Sequence, residues 1–174
     1  MKAFITFLTL FSAISGFSQS EFTPKQIDSI ANISGRSGIA EGMIDSQKQV
    51  DNGDMKRITK GEGQSSIAIY LHKPEKSRLI KGEYFRNVRY QDKSSEEVYA
   101  HFYYNEKQLF SVKIKEIIKN PKENITKDHD INISEMNKLQ AKDFLFTENI
   151  KKWISQVDAQ IRKLYVDKQS KKAE

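Results

Sequence analysis

The sequence predicts an α+β fold in which an antiparallel meander of four to five strands is packed on one face by an N-terminal and a C-terminal helix. Three observations predict it: apolar residues at helical spacing near both ends, strand-like alternation through the middle, and short connections between the alternating segments. Consecutive strands joined by short turns pair as antiparallel neighbours. An apolar sheet face needs helices to cover it.

The N-terminal helix is predicted to begin at Pro24. Thr23 can cap this helix, Pro24 suits its first position, and Gln26 can complete a capping box. Its apolar stripe consists of Ile27, Ile30 and Ile33. The glycine-containing segment 35–44 that follows is predicted to be a loose helix or an irregular loop.

Period-2 alternation with β-branched and aromatic residues predicts four strands in the middle of the chain. They are residues 66–72, 79–90, 98–104 and 109–118. The sequence leaves open whether residues 55–59 form a short fifth strand. The predicted turns are 51–54, Gly61–Gly63, 73–76, 92–97 and 105–108.

Two registers remain open for the hairpin formed by the last two strands. If Tyr104 pairs with Leu109, the odd-numbered residues of the first strand share a face with Val112. A shift of one residue places Phe102 beside Val112 instead. The two-residue loop 106–107 favours the first register, although it lacks the Asn-Gly chemistry of such turns.

Pro121 is predicted to end the sheet region, and two helices are predicted further along the chain, the longer of which covers the sheet. Ser134 can cap a short helix that runs to about Lys142, and Thr147 can cap a longer one. The longer helix carries an apolar stripe at spacings of three and four. The stripe consists of Ile150, Trp153, Ile154, Val157, Ile161, Leu164 and Tyr165.

Residues 1–18 predict a secretory signal peptide. Lys2 precedes an uncharged run of 11 residues from Phe4 to Ile14, and Gly16-Phe17-Ser18 has the small-x-small pattern of a cleavage site. A membrane-spanning helix needs roughly 20 residues. We therefore expect export to the periplasm or the extracellular space, with no transmembrane anchor after cleavage. The mature chain is expected to form a single α+β domain over 19–168 and a polar tail over 169–174.

The composition excludes cysteine chemistry and makes some classes of partner unexpected. The chain has no cysteine, which excludes disulfides, thiolate chemistry and lipid attachment through cysteine. An exported, cysteine-free chain rich in Lys, Ile and Asn is typical of bacteria. The net charge of +6 is spread through segments of mixed sign, and 23 of the 29 basic residues are lysines. Because bidentate phosphate recognition favours arginine, nucleic acid is not expected as a partner.

No motif of the chain predicts a cofactor, a metal site or a catalytic site. Asp128, Asp130 and Asn132 begin like a calcium loop, but Ile133 and Leu139 stand where the loop needs glycine and glutamate. A polar loop before a helix is the favoured interpretation. The three histidines form no HExxH motif, and Gly61–Gly63 lacks the rest of a phosphate loop.

Six aromatic and basic residues on two strands predict a contact surface, since tyrosine and arginine are the residue types that anchor interfaces. One strand carries Tyr84, Arg86 and Tyr90 on one face, and the next carries Tyr99, His101 and Tyr103. We expect the two sets to form one surface if they meet opposite the helices. The alternative is that half of them are core residues.

The expected function is therefore that of an exported, non-catalytic binding or interaction protein that uses an aromatic and basic sheet face. Its partner would be a protein or a component of the cell envelope. Two alternatives remain: a small secreted hydrolase with a dispersed site, and a binder of acidic envelope polymers. Strong salt dependence of retention on an anionic matrix would favour the polymer binder.

Overall fold

The computed structural model describes residues 22–51, 56–72, 78–106, 108–146 and 149–171. Several predicted features lie wholly or partly outside these ranges. They include the signal peptide, the turns at 51–54, 73–76 and 105–108, the cap Thr147 and the end of the polar tail.

Helix α1 (Pro24–Ser34) forms where the sequence predicts it. The Thr23 hydroxyl accepts a hydrogen bond from the backbone N–H of Gln26, and the Gln26 side chain accepts one from the backbone N–H of Thr23. This capping box satisfies two N–H groups that lack a partner within the helix. Gly35 follows the helix at φ +69°, which glycine adopts without strain.

Six strands form one antiparallel sheet whose spatial order follows the chain. They are β1 (Gly38–Asp51), β2 (Lys56–Leu71), β3 (Leu79–Tyr90), β4 (Ser95–Asn105), β5 (Gln108–Lys119) and β6 (Asn124–Asn132). The α+β class and the antiparallel meander are thus confirmed. The predicted count of four to five strands is wrong.

The unpredicted strands β1 and β6 are the two edges of the sheet. Strand β1 includes most of the segment predicted as a loose helix or loop, and β6 includes the segment predicted as a polar loop. An edge strand pairs on one side only and needs fewer apolar residues than a central strand. In β6 only Ile131 is buried, which explains why its alternation is weak in the sequence.

Strand β2 is one long strand that includes residues 56–59, where the sequence left a short strand open, and the turn predicted at Gly61–Gly63. Gly61 has a packing reason to be glycine. A Cβ atom at this position would lie 2.5 Å from a ring carbon of Tyr90. The absence of a side chain therefore allows the Tyr90 ring to lie across β2.

The β4–β5 hairpin contains both of the registers that the sequence left open. Tyr104 pairs with Leu109 next to the turn, as in the first register. A bulge then shifts the pairing between Tyr103 and Tyr104, so that Phe102 pairs with Val112, as in the second. The bulge resolves the conflict between loop length and the apolar pattern.

The two helices lie on opposite faces of the sheet, and the expectation that both cover one face is wrong. On the inner face, Ile69 and Phe102 pack in one cluster with the C-terminal helix. On the outer face, Ala68 and Tyr103 pack in a second cluster with α1. Neighbouring residues of a strand point to opposite faces, so the sheet is covered on both sides at this end. The all-buried ends of β3 and β4 reflect the same double cover.

The C-terminal helix α2 (Ile150–Ser170) packs through the stripe that the sequence predicts. Ile150, Ile154, Val157 and Ile161 are buried. The cap is Asn149, whose side chain accepts a hydrogen bond from Lys152 N. Two 3₁₀ turns, Ile133–Lys138 and Ala141–Asp143, replace the single short helix predicted at 134–142. Neither described α-helix is long and apolar enough to cross a membrane.

Candidate functional site

The six predicted contact residues do not form one surface. Tyr84, Arg86 and Tyr90 share a face of β3, as predicted, and this is the inner face that packs against α2. Tyr99, His101 and Tyr103 share a face of β4, and this is the outer face. The register decides the separation, because Tyr84 pairs with Ala100 while Phe85 pairs with Tyr99.

Two residues of this outer set, His101 and Tyr103, belong to a network of charged and phenolic groups beside α1. Tyr103 is fully buried and donates a hydrogen bond to Asp28 of α1 at 3.0 Å. Lys81 lies 2.8 Å from Asp28 and 3.0 Å from Glu83. Tyr99 is 39% exposed and stacks at a tilt on Phe85, with 4.9 Å between ring centroids. Most of this network joins α1 to the sheet.

Burial and charge shift the pKa values in this network. Burial and the nearby Lys81 ammonium lower the pKa of His101, which favours its neutral form. Burial alone would raise the pKa of Glu83, but hydrogen bonds from Tyr70 and Lys81 and the charge of Lys81 lower it. The network therefore contains a carboxylate and an ammonium that compensate each other.

Of the inner-face residues Tyr84, Arg86 and Tyr90, the first packs in the core and the other two line a cavity. Tyr84 packs edge-on against Trp153 of α2, with 5.4 Å between ring centroids, and burial raises its pKa. Arg86 and Tyr90 instead line a cavity of about 560 Å³ on the inner face. One wall of the cavity is formed by part of the segment 139–146, here called the strap. The other lining residues of this strap cavity are Ser46, Gln47, Lys48, Glu96, Ala141, Lys142, Phe144, Leu145 and Phe146.

Tyr90 lies at the centre of the polar groups in the strap cavity. Its hydroxyl donates to Glu96 at 2.8 Å and lies 3.3 Å from the Ser46 hydroxyl. The Lys48 ammonium lies 4.2 Å from the ring centroid and 3.7 Å from an Asp92 carboxylate oxygen. Burial raises the pKa of Tyr90, which keeps the hydroxyl protonated as a donor.

Arg86 is a half-buried cation of the cavity with one weak side-chain partner among the described residues. Its guanidinium donates to the Ser46 hydroxyl at the long distance of 3.5 Å. Among the residues that the structure describes, no carboxylate forms an ion pair with it. A half-buried guanidinium with five N–H donors and one weak acceptor has most of its binding capacity left for a ligand.

The strap is held to the sheet by the carboxylate of Glu116, whose side chain is 3% exposed. This carboxylate accepts hydrogen bonds from Leu145 N at 3.0 Å and Phe146 N at 3.1 Å. Nε2 of His129 lies 2.9 Å from the same carboxylate, and the His129 ring stacks on Phe144 at 4.2 Å. Glu116 thus fixes the aromatic wall of the cavity.

Sequence reasoning missed Glu96, Glu116 and the strap. Glu96 was assigned to the turn before β4, although it is a strand residue that faces the cavity. Glu116 did carry a signal, because it continues the period-2 series of Val112 and Ile114 on the buried face. A charged residue in such a series indicates a buried polar partner.

Other predicted motifs occupy ordinary structural positions. Asp128 and Asp130 lie on strand β6, not in a loop. Within the described ranges, no group of three or more His, Asp or Glu residues is arranged to hold a metal ion. The described histidine contacts include no serine or threonine hydroxyl as a hydrogen-bond partner.

Comparisons with known proteins add no family to this description. No protein-family model matches the chain, and neither the curated proteins nor the solved structures gave a significant match.

Proposed function

We propose that this chain is an exported, non-catalytic binding protein that holds an anionic group of its ligand at Arg86 in the strap cavity. The observation that carries the proposal is the half-buried guanidinium of Arg86, which faces the cavity without a carboxylate partner among the described residues. Export rests on the signal-peptide pattern of residues 1–18.

Charge in and around the cavity supports an anionic ligand. Arg86, Lys48 and Lys142 line the cavity together with a single carboxylate, Glu96. The Lys48 charge is shared with Asp92, which leaves Arg86 and the exposed Lys142 as the free positive groups of the lining. A guanidinium suits a carboxylate, sulfonate or phosphate because it can donate two parallel hydrogen bonds.

Shape and surface also support a binding role. The cavity lies within the range of about 300–1,000 Å³ that is typical of small-molecule sites. Tyr90, Phe144 and Phe146 provide apolar surface beside the polar groups. Such a site favours a ligand that joins an anionic group to an apolar body.

Replacing Arg86 tests the proposal with 8-anilinonaphthalene-1-sulfonate, an aromatic anion that fluoresces in apolar surroundings. We expect Arg86→Gln to weaken binding of this dye about tenfold or more, because it removes a charge-assisted hydrogen bond. Fluorescence titration measures the dissociation constant. Near-ultraviolet circular dichroism checks that the variant keeps its tertiary packing.

Arg89→Gln is the matched control, because Arg89 is an exposed arginine on the same strand that points to the outer face. This variant is expected to bind the dye like the unmodified protein. Equal weakening by both variants, or no weakening by Arg86→Gln, contradicts the proposal.

A further inference from the structure

The strap cavity presents a carboxylate as well as a guanidinium. Glu96 of β4 pairs with Val88, and Arg86 of β3 pairs with Val98, so the two charged residues are diagonal neighbours on the inner face. Diagonal neighbours in an antiparallel sheet are about 7–8 Å apart at Cα, within reach of long side chains. Even so, no ion pair joins them.

The side chains between these two charges are already engaged in a chain of hydrogen bonds. The Ser46 hydroxyl receives a weak bond from Arg86 and lies 3.3 Å from the Tyr90 hydroxyl, which donates to Oε2 of Glu96. In the described part of the molecule, Oε1 of Glu96 has no hydrogen-bond donor, and no cation forms an ion pair with this carboxylate. Both charges therefore keep capacity for a ligand.

We infer that the ligand of the strap cavity is a free α-amino acid with an apolar side chain. Its carboxylate would lie on Arg86, its ammonium on Glu96, and its side chain against the rings of Phe144 and Phe146. This inference rests on the proposed function and specifies its ligand class. A zwitterion matches two separated opposite charges, whereas a simple anion would leave Glu96 uncompensated near its own negative charge.

Three small probes separate the contributions of the two charged groups. L-phenylalanine carries both groups, 3-phenylpropionate lacks the ammonium, and 2-phenylethylamine lacks the carboxylate. We expect calorimetric titration of the purified protein to show L-phenylalanine binding about tenfold or more tightly than either of the others.

Glu96→Gln supplies the matching test on the protein. We expect this substitution to weaken the binding of L-phenylalanine about tenfold and to leave the binding of 3-phenylpropionate unweakened. The reason is that only the ammonium of the ligand needs the Glu96 carboxylate. Glu97→Gln is the control, since Glu97 is the adjacent residue and pairs with Lys119 on the outer face. It should leave all three affinities unchanged.

The possible failures are distinguishable. The inference is wrong if 3-phenylpropionate binds as tightly as L-phenylalanine. It is also wrong if Glu96→Gln weakens the binding of neither compound, because the ligand would then not be a zwitterion. The proposed function survives that result as long as dye binding depends on Arg86. If dye binding is also indifferent to Arg86→Gln, the proposed function fails with it. Absence of binding by all three probes while the dye binds through Arg86 overturns the inference alone.

Discussion

Replacing Glu116 with alanine is expected to lower the free energy of unfolding by about 3–5 kcal/mol. The substitution removes a buried carboxylate that accepts two backbone hydrogen bonds from the strap and faces His129. The N–H groups of Leu145 and Phe146 would lose these acceptors. Within the described residues, the backbone–backbone hydrogen bonds of the strap connect it only to itself or to Met136, and its other hydrogen bond to the sheet is from Lys127 Nζ to Asp143 O at 3.0 Å.

Urea denaturation measures this loss, and hydrogen exchange of the Leu145 and Phe146 amides locates it. Glu97→Ala is the matched control, because Glu97 lies on the neighbouring strand, faces the outer side and pairs with a half-exposed Lys119. The Glu97 side chain is 13% exposed and that of Lys119 is 51% exposed, so water screens this pair in part and the cost of Glu97→Ala should be clearly smaller than that of Glu116→Ala. Similar costs for the two alanine variants would contradict the account of the strap. Glu116→Gln, which keeps an acceptor oxygen, should be milder.

Replacing Lys81 with alanine is expected to cost about 3 kcal/mol. The Lys81 side chain is 6% exposed and lies between Asp28 of α1 and Glu83 of β3. Hydrogen bonds to these carboxylates raise the pKa of Lys81 against the opposing effect of burial. Without the ammonium, two carboxylates face each other beside the Tyr103 hydroxyl, and α1 loses its ionic contact with the sheet.

Lys138→Ala provides the comparison for Lys81. The Lys138–Glu135 pair has the same N–O distance of 2.8 Å, but its side chains are 76% and 59% exposed. An exposed pair contributes at most about 1 kcal/mol, since water screens it. Denaturation of the two variants in parallel therefore tests whether burial is the cause of the larger cost of Lys81→Ala. A Lys81→Ala cost as small as that of Lys138→Ala would show that the network does not hold α1.

Much of the fold follows from local pattern. The capping box of Thr23 and Gln26 and the apolar stripe of α2 both depend on the spacing of residues within a single helix, so each can be predicted from the sequence alone. The edge strands did not follow from pattern. In β1, glycines and polar residues replace the apolar alternation, and pairing with β2 supplies the hydrogen bonds that make it a strand.

The placement of the helices needed information that no single segment carries. Alternation tells which residues share a face, but not which helix covers that face. Phe102, Tyr103 and Tyr104 are consecutive and all buried, which is the pattern of a strand covered on both sides. Such a run is the sequence signal for helices on opposite faces.

The site could be predicted within one strand but not between strands. Arg86 and Tyr90 share a face, as their spacing requires. Their relation to Tyr99 depends on the turn after β3, where Asp92 accepts a hydrogen bond from Ser94 N and Lys93 adopts φ +65°. A change of one residue in that turn would place the two tyrosine sets on the same face.

Chemical-shift mapping of the labelled protein tests most directly the claim that the strap cavity is the ligand site. On addition of L-phenylalanine or 8-anilinonaphthalene-1-sulfonate, we expect the largest changes at the Arg86 side-chain N–H and at the amides of Leu145 and Phe146. Changes confined to the outer face around Tyr99 and His101, with the Arg86 signal unmoved, would contradict the account.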